Sequence, residues 1–162
     1  MTTSPAPVPE AAGSSPHPAA YTGHLLRRAQ QVHLAAWNRH VSLEYTSTQF
    51  AALSMIARRP GMSQADLGAE LDLDRSTIAD LVRRLVAREL IHRDLHPEDR
   101  RRKALALTER GRAALAELQP RVAAIEPLVT GGLDAAQRAQ LRDLLEAVLA
   151  AAGESGLLSA DR

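Results

Sequence analysis

The chain has 162 residues, enough for one domain with a buried core, and apolar residues make up 45% of it. It contains no cysteine, which excludes a disulfide framework, a thiolate zinc site and a thiol redox switch. The net charge is only +1, but nine Lys or Arg and five Asp or Glu lie between Arg75 and Lys103, a local surplus of four positive charges. Such a basic stretch in an otherwise slightly acidic chain indicates an anionic partner.

Aromatic residues are scarce, with only Tyr21, Trp37, Tyr45 and Phe50. The core must therefore consist mainly of Leu, Ala, Val and Ile, a composition that favours helices. Charged residues interrupt every apolar run well before the roughly 20 residues that a membrane span needs. The N-terminus also lacks the basic and then apolar order of a signal peptide, so we expect a cytoplasmic protein without a membrane segment.

Proline is concentrated at the N-terminus, where the first 18 residues hold five of the nine prolines. This stretch has almost no large apolar side chain, which predicts a disordered tail over residues 1–18. The spacing of apolar residues from about Ala20 to Val41 then fits a long amphipathic helix. At the other end, residues 153–162 are expected to be flexible.

Five positions combine a capping side chain with an apolar run of helical period after it: Thr46, Ser63, Asp74, Thr108 and Asp134. At the first, second and last of these, a Gln or Asp three residues later has the spacing of a capping box. We therefore predict five helices that begin at these caps. Pro120 should kink the fourth of them, because proline removes an amide donor and crowds the preceding turn.

The period changes to strict alternation at residues 91–95 and 103–107, with residues 96–102 between the two runs. This pattern predicts a small antiparallel hairpin with a long tip. The expected fold is therefore mainly α with a small β-hairpin. Its element order, a helix-turn-helix followed by a two-stranded wing, is typical of DNA-binding domains.

A helix-turn-helix needs apolar residues at a few fixed positions, and these offsets from Leu67 are filled by Leu71, Leu73, Ile78 and Leu81, with small Gly68 beside the first. Asp72, at the turn, tolerates a left-handed conformation better than most residues. The helix that begins at Asp74 then presents polar side chains outward, where they can reach phosphates or base edges. The residues that we expect to contact DNA from this unit are Ser63, Gln64, Arg75, Ser76, Thr77, Asp80, Arg83 and Arg84.

The hairpin tip holds Arg100, Arg101 and Arg102 directly after Asp99. Guanidinium groups on a protruding tip can enter a minor groove, and we expect Asp99 to brace one of them by a bidentate pair. The plainer alternatives are a flexible charged loop at the tip and a solvated face on the helix that begins at Asp74.

Four motifs resemble those of the MarR family of bacterial transcriptional regulators: the T-x-x-Q-F-x-x-L of Thr46–Leu53, the DRSTIADLVRRL of Asp74–Leu85, the DRR of Asp99–Arg101 and the LTERG of Leu107–Gly111. The resemblance covers about Ala20 to Ala150. It implies a homodimer with one MarR-like domain over residues 19–152. Residues 45–108 would form the winged helix-turn-helix, and residues 19–42 and 109–152 the interlocking dimerisation helices. One departure is His96, where the family often has Asp before the proline.

The first helix, from Gly23 to Ser42, is similar to that of a branch of the family that responds to protocatechuate-like aromatic carboxylates. The resemblance implies that Arg27 and His33 help to hold such a ligand. His33, Trp37 and His40 lie at i, i+4 and i+7 on one face of this helix, and Arg can pair with a carboxylate, so we expect Arg27, His33 and Trp37 to bind the ligand. On spacing alone, however, Trp37 can equally be a core residue and Arg27 a solvated one. A zinc site at His33 and His40 has no supporting ligand cluster, so we predict no metal and no cofactor.

These observations favour a sequence-specific regulator of transcription that binds double-stranded DNA at a palindromic operator, a repressor released by a small aromatic or phenolic carboxylate. The alternative is a winged-helix module that docks an acidic protein without sequence-specific DNA binding. We find no glycine-rich phosphate loop and no nucleophile beside a base, so an enzyme is not expected.

Overall fold

The computed structural model describes residues 17–95 and 103–157, which form six α-helices, a short 3-10 helix and one hairpin. The α-helices are α1 (Thr22–His40), α2 (Ser47–Arg58), α3 (Gln64–Glu70), α4 (Arg75–Ala87), α5 (Glu109–Val129) and α6 (Ala135–Glu154). The 3-10 helix (Pro18–Ala20) precedes α1, and the strands β1 (Ile91–Leu95) and β2 (Lys103–Leu107) lie between α4 and α5. A mainly α fold with a small hairpin is confirmed.

All five predicted N-terminal caps are confirmed by hydrogen bonds from backbone amides to the capping side chains. Complete capping boxes begin α2, α3 and α6, where the residue three positions on also accepts a hydrogen bond from the amide of the cap. These local bonds fix where each helix starts, because they satisfy amides that have no partner inside the helix.

The helix-turn-helix is packed as its apolar offsets predicted. Leu67, Ile78 and Leu81 are buried, and the Gly68 Cα faces Ile78 so closely that an added Cβ would lie 3.4 Å from its side chain. Asp72 adopts a φ of 51°, the left-handed conformation expected at the turn. These contacts pack α3 against α4 across the turn.

Two apolar clusters make up the core. The larger one lies inside the winged unit, between α2, α4, the hairpin and the start of α5. The smaller one joins α1 to α5 through Trp37, Val41, Leu118 and Ile125. Tyr45 and Phe50 pack against both clusters, so the segment after α1 and the first turn of α2 connect the winged helix-turn-helix to the outer helices.

The wing is an antiparallel pair in which Ile91 lies opposite Leu107 and Leu95 opposite Lys103. The loop before α3 adds to it, because the Gly61 amide donates to the Leu105 carbonyl at 3.0 Å and the Leu105 amide donates to the Met62 carbonyl at 2.9 Å. The wing is therefore attached to the base of the helix-turn-helix. Its predicted tip, residues 96–102, lies outside the described residues.

Three details differ from the sequence-based expectations or add to them. The 3-10 helix Pro18–Ala20 falls at the boundary of the predicted tail, and α6 continues to Glu154, two residues beyond the predicted domain end. Helix α5 contains a second internal proline, Pro127, and continues past Pro120, whose kink stays a prediction. Across residues 17–95 and 103–157, no helix is both long and apolar enough to cross a membrane.

Candidate functional site

Helix α4 has two polar faces, which turn in different directions. Arg75, Ser76, Asp80 and Arg83 are exposed on the face away from the core. Thr77, Leu81 and Arg84 lie at i, i+4 and i+7 on an adjacent face, where they line a cavity toward α1. The expected DNA-contacting residues of α4 are thus divided, with Thr77 and Arg84 placed apart from the other four.

The N-terminus of α4 is organised by Asp74. Its carboxylate accepts hydrogen bonds from the Ser76 and Thr77 amides, each at 2.9 Å, and from both hydroxyl groups. The hydroxyl of Ser76 in the first place, and that of Thr77, hold the pKa of Asp74 well below its usual range. The first turn of α4, with the exposed Ser76, is therefore fixed by an ionised cap at neutral pH.

Arg83 does not project freely from α4. Its Nη2 lies 2.8 Å from Oδ1 of Asp80, one turn earlier, and both side chains are well exposed. An exposed pair of this kind contributes little to stability, but it orients the planar guanidinium group. Asp80, which we expected to contact DNA, can therefore act by positioning Arg83.

The two expected contacts at the start of α3 have different settings. Ser63 is buried, and its hydroxyl donates to Oδ2 of Asp66 at 2.7 Å while it caps the helix. Gln64 is partly exposed, and its Oε1 accepts a hydrogen bond from Nη2 of Arg93 on β1 at 3.1 Å. Sequence reasoning missed Arg93, since nothing near it in the chain indicates a partner 29 residues away.

Asp99, Arg100, Arg101 and Arg102 lie outside the described residues, so their roles in the wing stay predictions. The strands on either side of them are described, and the middle of β1 is joined to the start of α3 by the Arg93–Gln64 hydrogen bond. A wing attached in this way continues the polar surface of α3 and α4.

A cavity of about 420 Å³ lies between α1, the segment that follows it and α4; we call it the α1–α4 cavity. Its lining includes Leu34 and Trp37 of α1, Tyr45 of the connecting segment, and Thr77, Leu81 and Arg84 of α4. The volume lies within the range of small-molecule sites, and aromatic and apolar walls with a few polar groups are typical of them.

The three predicted ligand residues are not brought together in one place. Trp37 lines the α1–α4 cavity but is 97% buried (3% exposed), with its indole N–H donating to the Tyr45 carbonyl at 2.6 Å. The His33 ring lies 6.1 Å from the Trp37 ring, on the side of α1 that faces α6. Arg27 is exposed and lines neither the α1–α4 cavity nor the space between α1 and α6, although it shares the face of α1 that carries Gln30 and Leu34. Its ligand role stays a prediction.

The segment from Ser42 to Thr46 is tied to the end of α4 by Arg88. The Arg88 Nη1 donates to the Glu44 carbonyl at 3.1 Å, its Nη2 pairs with the Glu44 carboxylate, and its Cζ lies 4.3 Å from the centre of the Tyr45 ring. A cation over an aromatic face is attracted by the ring quadrupole. Arg88 therefore fixes a wall of the cavity to α4.

A second, mostly apolar space of about 530 Å³ lies between α1, the end of α5 and α6. Helix α6 also exposes a stripe of large apolar side chains: Leu141, Leu144, Leu145, Val148 and Leu149. Within the part of the chain that the structure describes, no three His, Asp or Glu side chains are placed so that they could hold a metal ion. The outer helices thus present apolar surface of the kind that subunit interfaces cover.

A capped helix-turn-helix with an attached wing, whose second helix α4 exposes polar side chains as a recognition helix, defines a winged-helix DNA-binding protein. Residues 45–103 match the model of the MarR family. The chain is 37% identical over 128 residues to the transcriptional repressor NicR of Pseudomonas putida, covering 78% of this chain and 81% of NicR.

Two solved structures of transcriptional regulators also resemble this chain. The PcaV transcriptional regulator of Streptomyces coelicolor in complex with its natural ligand has 39% identity and a TM-score of 0.81, covering 86% of this chain and 99% of PcaV. Bordetella bronchiseptica BpsR, whose DNA binding is regulated by 6-hydroxynicotinic acid, has 33% identity and a TM-score of 0.70, covering 78% of this chain and 96% of BpsR.

The chain belongs to the MarR family. It is a DNA-binding regulator of transcription and not an enzyme, which favours the main interpretation of the sequence over a protein-docking module.

Proposed function

We propose that this protein is a dimeric, cytoplasmic repressor that binds a palindromic operator and is released from it by a small aromatic carboxylate. The observation that carries the proposal is the α1–α4 cavity, because α4 contributes both to its wall and to the exposed polar face. A molecule bound there touches the recognition helix directly. The similarity to PcaV with its natural ligand and to BpsR with 6-hydroxynicotinic acid supports the class of effector.

The DNA-contacting residues in this proposal divide by role. Arg75, Ser76 and Arg83 face outward from α4 and are proposed to enter the major groove, with Asp80 orienting Arg83. Gln64 and Arg93 lie at the junction of α3 and the wing, where they can reach the phosphate backbone. Arg100, Arg101 and Arg102 are proposed to reach the minor groove from the wing tip.

The dimer is supported by the exposed apolar stripe of α6 and the groove beside α1. Two recognition helices related by a two-fold axis match a palindromic operator whose half-sites are about one helical turn, roughly 34 Å, apart. Effector binding would act as a population shift toward a spacing of the two helices that no longer fits these half-sites.

The role of Arg83 can be tested by fluorescence anisotropy with an operator selected from genomic fragments and with random DNA. Arg83→Ala should reduce discrimination between the two by about 1–3 kcal/mol, because a bidentate base contact is lost. Arg101→Ala should weaken binding to both DNAs alike and reduce the slope of the salt dependence by about 1, because it removes one positive charge from the DNA interface.

Arg58→Ala is the matched control for these variants, since Arg58 is an exposed arginine in the last turn of α2 and not of the recognition helix. It should leave both affinities nearly unchanged. If operator affinity and discrimination are indifferent to Arg83→Ala and Arg101→Ala, this assignment of the DNA interface is wrong.

A further inference from the structure

Asp80 is the single acidic side chain of α4, and it lies on the face that the recognition helix exposes. Ser76, Asp80 and Arg83 follow one another at i, i+4 and i+7, so they share this face. A carboxylate is unsuited to a contact with the DNA backbone, because both groups are negatively charged. If Asp80 contacts DNA, its partner must therefore be a hydrogen-bond donor on a base.

The ion pair with Arg83 leaves both side chains able to bind such partners. Nη2 of Arg83 lies 2.8 Å from Oδ1 of Asp80, while 73% of the Arg83 side chain and 56% of the Asp80 side chain remain exposed. Neither side chain bonds to any other residue within 17–95 and 103–157. A guanidinium group has five N–H donors, and a carboxylate has a second oxygen with its own lone pairs. The pair thus presents donors and an acceptor side by side.

This arrangement matches two different bases in the major groove. Guanine presents the acceptors O6 and N7, which a guanidinium group binds with two hydrogen bonds, and cytosine presents the N4 amino donor, which suits a carboxylate. Adenine also has an amino donor, but its N7 acceptor lies beside that donor and repels a carboxylate. The carboxylate therefore favours cytosine over the other bases.

The spacing of the two residues along α4 indicates that they read neighbouring base pairs. Three residues of helix rise about 4.5 Å, which is closer to one base-pair step of roughly 3.4 Å than to two. The carboxylate also compensates one positive charge of the interface. An Asp80–Arg83 pair therefore adds selectivity for bases with little gain in attraction to the phosphates.

We propose that Asp80 determines operator specificity by accepting a hydrogen bond from the N4 amino group of a cytosine, next to a guanine bound by Arg83. The inference rests on the proposed placement of α4 in the major groove and adds the identity of the bases. Each half-site of the operator should contain this cytosine and guanine in neighbouring base pairs.

The test measures base preference with the purified full-length protein. Duplexes selected from a library with randomised half-sites are sequenced, and single-base variants of the selected operator are then titrated by fluorescence anisotropy. Asp80→Asn keeps the shape of the side chain but replaces one acceptor oxygen by an amino donor, whereas Asp80→Ala removes both oxygens. Arg83→Ala identifies the guanine position, and circular dichroism with thermal melting establishes that each variant is folded.

Glu117→Gln is the matched control for the lost charge. Glu117 forms an ion pair of the same kind on α5, where its Oε1 lies 2.8 Å from Nη2 of Arg121 and both side chains are well exposed. The substitution removes one negative charge outside the winged helix-turn-helix. It should leave the base preferences as they are in the wild-type protein.

The wild-type protein should prefer cytosine at one position of each half-site by about tenfold or more, next to the guanine whose preference Arg83→Ala abolishes. Asp80→Ala should reduce the cytosine preference nearly to one. Asp80→Asn should replace it by a preference for adenine, because an amide can bind both N6 and N7 of that base.

Two results would overturn the role of Asp80 and leave the proposed DNA-binding function intact. One is a selected operator without a cytosine preference beside that guanine. The other is an unchanged cytosine preference in Asp80→Asn and Asp80→Ala, which would limit Asp80 to orienting Arg83. Failure of the wild-type protein to select any sequence would instead contradict the proposed binding to an operator, and this inference with it.

Discussion

Gly111, the last residue of the LTERG motif, has a packing role that explains the residue type. A Cβ at this position would lie 1.9 Å from the carbonyl oxygen of Leu90, in backbone that cannot move aside easily. The same carbonyl accepts a hydrogen bond from the Thr108 amide at 3.1 Å, and the Thr108 hydroxyl donates to the Glu89 carbonyl at 2.6 Å. The start of α5 is therefore locked against the start of the wing.

Gly111→Ala should lower the free energy of unfolding by about 1–3 kcal/mol or more, because the added methyl group forces α5 away from Leu90. Urea unfolding followed by circular dichroism measures the change. Gly153→Ala in α6 is the control: nothing lies within 4 Å of its added Cβ. That substitution should raise stability by about 0.4–1 kcal/mol, since it reduces the freedom of the unfolded chain. Equal stability of the two variants would show that this contact is not formed.

At the scale of elements, the local signals in the sequence were sufficient for the helix starts and for the wing. Thr46, Ser63 and Asp134 supply both halves of a capping box within four residues, so nothing distant is needed to recognise them. The strands are likewise defined by alternation over five residues each. Arg88 is different, because its partner Glu44 lies 44 residues earlier and reaches it only through the tertiary packing of the segment after α1 against α4.

The division of α4 into two faces could be predicted only in part. Helical spacing alone places Thr77, Leu81, Arg84 and Arg88 on one stripe. It does not reveal that the segment after α1 lies opposite, so the stripe could not be recognised as a cavity wall. The placement of Arg27 outside the cavity has the same cause, since it depends on how α1 crosses the winged unit.

Arg88→Ala tests the connection between α4 and the segment after α1. The variant should lose about 1–2 kcal/mol of stability, because a partly buried guanidinium group gives up a carbonyl, a carboxylate and an aromatic face. Hydrogen exchange should accelerate at residues 42–46 in particular. The control is Arg59→Ala, whose pair with Glu70 at 3.0 Å is well exposed on both sides and should contribute less than about 1 kcal/mol. Unchanged exchange at residues 42–46 would contradict this role of Arg88.

At the scale of the whole molecule, α6 is exposed along its length in the single chain and presents an apolar stripe that includes Leu144 and Val148. We expect this stripe to be covered by the second subunit. Leu144→Glu should shift the protein from dimer to monomer in light scattering after size exclusion, because a charge in an apolar interface is costly. Ala150→Glu, on the opposite side of the same helix, should remain a dimer. A dimer that persists in Leu144→Glu would place the interface elsewhere.

We expect an aromatic acid in the α1–α4 cavity of the dimer to weaken operator binding by the recognition helices. The most direct measurement is the operator affinity of the wild-type protein at fixed salt with increasing 4-hydroxybenzoate or 3,4-dihydroxybenzoate, together with the acid affinity with and without operator. Operator affinity should fall by a factor of about 5–150, and acid affinity should fall by the same factor when operator is bound, because linkage is reciprocal. If the acids bind with Trp37 reporting it while operator affinity stays unchanged, the account is contradicted.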